Sequence, residues 1–174
     1  MKSKALIFSA FLALVLVTPV FAADESANLS KEQSAKISTN CASIRQDLKN
    51  LQRADSRART YFGAIYETVA SKFLKPLNLR LVNNDLTSSE LSKLQISLAT
   101  ARTDFHDDFI TYSKSLEELI AIDCRLDPEG FYKKLLETRE KRTEVADDVK
   151  TLNGLLTTSV KHVEKLKETL SAGE

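Results

Sequence analysis

The chain has 174 residues and near-balanced charge, with 25 basic and 24 acidic side chains and a formal net charge of +1. That balance lacks the basic footprint of a nucleic-acid-binding protein, so nucleic acid is not an expected partner. Three prolines and four glycines are too few punctuators for a strand-and-turn fold and point to a single all-α domain.

The first 22 residues have the pattern of an export signal. Lys2 and Lys4 form a charged start, Ala5 to Val17 an apolar run, and Thr18-Pro19 a break. Val20-Phe21-Ala22 then places small residues where a signal peptidase reads. Cleavage is expected after Ala22. Uncleaved, Ala5 to Ala23 would barely span a bilayer core and would be the one expected membrane attachment. No cysteine follows the cut, which argues against a lipid anchor. The expected location is outside a bacterial cytoplasm: secreted, periplasmic or on the outer cell surface. Residues 23–29 are expected to be a flexible lead into a three-helix bundle over 30–171.

Helix one is expected over about 30–75. Ser30-Lys-Glu-Gln33 is a capping-box pattern. Ile37, Cys41, Ile44, Leu48, Leu51, Ala58, Phe62, Ile65 and Val69 then follow a heptad seam, interrupted by Asp55. Pro76 ends this helix or restarts it with a kink. Helix two, about 88–125, opens at a second capping box, Thr87-Ser-Ser-Glu90. Its seam runs from Leu91 through Leu98, Phe105, Phe109 and Tyr112 to Leu119. Helix three, about 128–171, starts at Asp127-Pro128, an N-cap followed by proline at the first helical position. Its seam includes Phe131, Thr138, Arg142, Val145, Val149, Leu152, Leu156, Val160 and Val163. Three such seams predict an elongated up-down-up, coiled-coil-like bundle.

Cys41 and Cys124 stand symmetrically about the break near Val82-Asn83. A reversal there brings them level on antiparallel helices, and an oxidising compartment would join them. The same register places Asp55 near Ile110, and Ile110 near Arg142. Asp55 and Arg142 are the two charged breaks in otherwise apolar seams, and the spacing predicts that they pair inside the bundle as a polar layer fixing register.

No catalytic constellation stands out, and no enzyme activity is expected. Asp104 and Asp108 share a helix face around His106, but such pairs are common on solvated helices. His162 projects to another level, so no metal or other cofactor is expected. Arg45, Lys49, Arg53, Arg57 and Arg59 form a loose basic stripe, broken by Asp47 and Asp55, that reads as a solvated face. The segment from Tyr61 to Leu74 is richer in apolar residues than one seam requires. Tyr61, Phe62, Tyr66 and Phe73 are its candidate partner surface.

The stretch from Asp55 through Tyr61-Phe-Gly-Ala-Ile-Tyr66 and Phe73-Leu-Lys-Pro76 to Val82 resembles uncharacterised exported helical proteins of Saccharibacteria-like candidate-phylum bacteria. The likeness runs from Cys41 to beyond Val149 and includes Asp123-Cys124 and Phe131-Tyr132. It implies an exported or outer-surface location and carries no activity or cofactor. A looser resemblance is to periplasmic holdase chaperones, which share an export signal and long helices. The expected function is an exported, non-enzymatic helical protein that binds a protein or envelope component through its helix faces. A second copy of the chain is one candidate partner. The alternatives are a holdase or carrier of apolar ligands between loosened helices, or a structural spacer.

Overall fold

The computed structural model describes residues 29–86 and 88–171. The expected export signal, the expected flexible residues before Leu29 and the Thr87 hydroxyl of the second capping box lie outside the described residues. The fold is all-helical. Helix α1 spans Lys31–Glu67, a π-helical segment covers Thr68–Leu74, α2 spans Lys75–Asn83, α3 spans Ser89–Ala121 and α4 spans Pro128–Ser171.

The first cap is the one the sequence predicts. Gln33 N–H donates to Ser30 Oγ, and the Gln33 side chain accepts from Ser30 N–H. Pro76 does not end the first arm. The chain stays helical to Asn83, so helix one is longer than expected. The π segment immediately precedes the proline, and Lys75 N–H reaches back to Ala70. Pro76 has no N–H to donate, and the wider turn re-routes the neighbouring bonds.

The reversal follows α2. Leu86 N–H donates to the Leu81 carbonyl at 2.9 Å, and Asp85 N–H to that of Val82 at 3.1 Å. This paired return is a Schellman closure, with Asp85 at φ 57° in the position glycine usually takes. Asp85 is one of the few side-chain-bearing types that enters that region readily. On the far side, Ser88 caps α3 by accepting from Leu91 N–H at 3.2 Å. Helix α3 ends at Ala121, four residues short of the expected boundary. Asp123-Cys124 therefore lies in the turn. Asp127 caps α4 by accepting from Gly130 N–H at 2.8 Å.

The antiparallel register holds along the bundle. Cys41 and Cys124 form the disulfide, with their Cα atoms 5.5 Å apart. Arg45 Nε donates to the Ile120 carbonyl at 3.1 Å, so a cation meets an orphan acceptor at the end of α3. Further along, Asp55 meets Tyr112, Arg59 meets His106 and Glu67 meets Arg102. Asn78 bonds Ser92 and Gln95 on α3 near the tip.

Two apolar clusters fill the interior. One surrounds the disulfide with Tyr112, Leu116, Leu119 and Phe131. The other fills the tip-ward half with Tyr66, Leu74, Leu91, Leu98, Phe105 and Leu152. Val160, expected in the seam, is 58% exposed, and Ser159 is buried in its place. The Ser159 hydroxyl is satisfied by the Leu155 carbonyl at 2.8 Å, which makes a polar residue tolerable there.

Candidate functional site

The central layer joins three helices. Arg142 on α4 grips Asp55 on α1 through Nε at 3.0 Å and Nη2 at 3.2 Å. Tyr112 on α3 donates its hydroxyl to Asp55 Oδ2 at 2.7 Å. Asp55 thus faces Tyr112, not Ile110, whose side chain points outward. The layer is not sealed: 50% of the Arg142 side chain is exposed, against 19% of Asp55. Arg142 lies at the rim because its long stem can cover apolar surface while the guanidinium stays near water. Burial first, then the Asp55 carboxylate, push the Tyr112 phenol well above its ordinary pKa. Tyr112 therefore stays a protonated donor at physiological pH.

An unbroken row of rings leads from this layer tip-ward to Tyr66 and then turns back along α1. Tyr112, Phe109, Phe105, Tyr66, Phe62 and Tyr61 follow one another at centroid separations of 5.4–6.3 Å. Arg59 lies over the Phe109 ring at 5.2 Å, a cation–π placement. Ala58 and Ala146 are small residues on the facing sides of α1 and α4. They leave a depression of about 250 Å³ with Phe62, Phe105, Phe109 and Arg59 in its walls.

The candidate partner surface divides. Tyr61 and Phe73 are both 64% exposed. Tyr66 is only 1% exposed, and its hydroxyl donates to Asn153 Oδ1 at 3.3 Å. It is a core residue, which corrects its placement on the surface. Phe62 is partly buried and packs against the same core. The exposed apolar surface continues instead onto Leu79, Val82 and Leu86, which the aromatic pattern did not single out. Their signal was present as apolar residues on both sides of Leu81 in sequence, Leu79 and Val82 on α2 and Leu86 just beyond it.

His106 Nδ1 lies 3.1 Å from Arg59 Nη2, and His162 Nε2 lies 2.9 Å from Ser88 Oγ. Among the described residues, no three His, Cys, Asp or Glu side chains converge as a metal site.

On another side of α4, Asp148 meets α3. Its Oδ2 is buried without a hydrogen-bond partner. Burial first, then Asp108, with Asp104 and Asp147 beyond, push its carboxyl up to about 6 from 3.8. Above pH 6 the folded state carries a charge it disfavours. As pH falls from 6 toward 4, protonation in the fold removes that cost. Asp148→Asn should therefore stabilise the protein by about 1–2 kcal/mol at pH 8, the range allowing for partial solvation. The gain should vanish by about pH 4. Urea titrations across that range measure it, and a pH-independent gain would contradict the assignment.

Comparison with protein families, curated proteins and solved structures finds no match.

Proposed function

We propose that the protein is an exported, non-enzymatic helical protein that binds a protein or envelope component through its helix faces. The exposure of Tyr61 and Phe73 carries this reading, because large aromatic side chains left in water on a rigid helix favour burial by a partner. The export-signal pattern of residues 1–22 supports a location in or outside the cell envelope. Long helices held by a disulfide and an ion-paired layer supply a stiff frame for that face.

Photocrosslinking amino acids at positions 61, 73 and 110, with a fourth variant carrying one at 146, in cells that export the protein, test the reading. Adducts at 61 and 73 but not at 110, an exposed isoleucine away from the tip, are expected. Equal yields at all three, or none, would overturn it. Adducts confined to position 146, in the depression between α1 and α4, would favour a carrier instead.

A further inference from the structure

The near-neutral total conceals a polarised molecule. From Lys31 to Asn83 the first arm holds ten basic and four acidic residues, whereas α3 holds three basic and six acidic. The asymmetry is sharpest at the tip. Between Thr68 and Asn83 there are three cations, Lys72, Lys75 and Arg80, and no acid. All three are exposed, and none forms an ion pair among the described residues.

The same segment exposes apolar side chains. On α2, Leu81 is buried and Asn78 bonds α3, which fixes the inward side. Lys75, Leu79 and Val82 follow at spacings of four and three, so they share one exposed side of the helix, flanking that inward edge. Leu79 and Val82 are 56% and 54% exposed, and Leu86 follows just beyond the helix. Phe73, in the π segment six residues before Leu79, is exposed as well. Leucine, valine and phenylalanine ringed by lysine and arginine match the chemistry of a bilayer interface, where acyl chains take the apolar residues and anionic headgroups the cations. An acidic protein would complement the charge but would not by itself call for the exposed aliphatic stripe.

We propose that the outer face of α2 and the preceding π segment dock on an anionic lipid surface. The inference names the envelope component of the proposed function and rests on that reading. No described helix is long and apolar enough to cross a membrane, so the contact lies on the surface. This contact is independent of the N-terminal leader, which would attach the chain only if left uncleaved.

Residues 29–171 hold every described helix, both cysteines and both cores, so a chain begun at Leu29 carries all of the described packing. Far-UV circular dichroism and an intact disulfide check this first. Its partitioning is then measured by co-sedimentation with phosphatidylcholine vesicles, with and without an equal part of phosphatidylglycerol. Binding should require the anionic lipid and weaken in high salt. Lys72→Gln/Lys75→Gln/Arg80→Gln should lower partitioning roughly 100-fold. Leu79→Ser/Val82→Ser should lower it roughly tenfold or more.

Failure to prefer anionic vesicles, or indifference to the charge variant, would overturn the proposal. So would full binding by the Leu79→Ser/Val82→Ser protein, since that describes adsorption to any polyanion. A crosslinked protein partner at Phe73 without vesicle binding would leave the contact face standing and remove the lipid.

Discussion

Serine at both position 41 and position 124 should lower the unfolding free energy by about 4–5 kcal/mol. The bridge spans 83 residues in sequence, and closing so long a loop restricts the unfolded chain by roughly that amount. Both sulfurs are buried, so the substitution also places hydroxyls among apolar neighbours. The loss should be largest at the open end of the bundle, where the bridge is the main tie between α1 and the turn after α3. Besides it, Ser38 reaches the Cys124 carbonyl at 3.5 Å and Arg45 the Ile120 carbonyl. Urea unfolding of oxidised, reduced and doubly substituted protein measures the effect. Reduced and substituted forms should both fall well below the oxidised protein, since both lose the same constraint, and the substituted form should fall somewhat further because of its buried hydroxyls. Oxidised and reduced proteins of equal stability would contradict the account.

The second large effect concerns the central layer. Asp55→Ala should cost about 2–4 kcal/mol, below the upper end for a dry pair because Arg142 is half solvated. Two groups lose their acceptor together: the Arg142 guanidinium and the hydroxyl of Tyr112, which is 1% exposed. Arg142→Ala should cost less, because Asp55 keeps the Tyr112 hydrogen bond. A double-mutant cycle should give a coupling energy of at least about 1 kcal/mol between Asp55 and Arg142. Additive losses would mean that the two residues do not support one another. Tyr112→Phe should reduce the cost of Asp55→Ala, because it removes one of the stranded donors.

These two features were legible because each depends on position along a straight helix. The cysteines and the charged breaks fall at matching levels once the chain reverses, and helix rise carries that match over tens of residues. The local chemistry at Ser30 and at Asp127-Pro128 was equally readable. Rotation about the helix axis was not. The expected seam of α1 ran through Phe62, Ile65 and Val69, yet Tyr66, Ala70 and Leu74 are the residues most deeply buried there. A straight helix drifts about 20° per heptad against a strict seven-residue repeat, so the inward line moves onto a new row. The π segment then alters the turn locally. Tyr66 passed inward by that rotation, while Tyr61 and Phe73 remained in water.

Arg142 illustrates a different limit. Its level was correct, but a seam position does not fix where a long cationic side chain ends, and the guanidinium reaches the rim. Ser159 was missed because its polarity masked a regular core spacing. The basic character of the first arm was partly hidden by summation over the whole chain. The stripe from Arg45 to Arg59 was visible, but its extension to the tip and its contrast with the acidic α3 follow once helix boundaries separate Lys31–Asn83 from α3.

Non-reducing peptide mapping addresses the register on which the bundle, the ion-paired layer and the lipid-facing tip all depend. Trypsin should release Ile37–Arg45 and Ser115–Arg125 as one cross-linked species from monomeric protein, separating only after reduction. Recovery of both peptides as free thiols, or their linkage only in a covalent dimer, would contradict the antiparallel placement of α1 against α3.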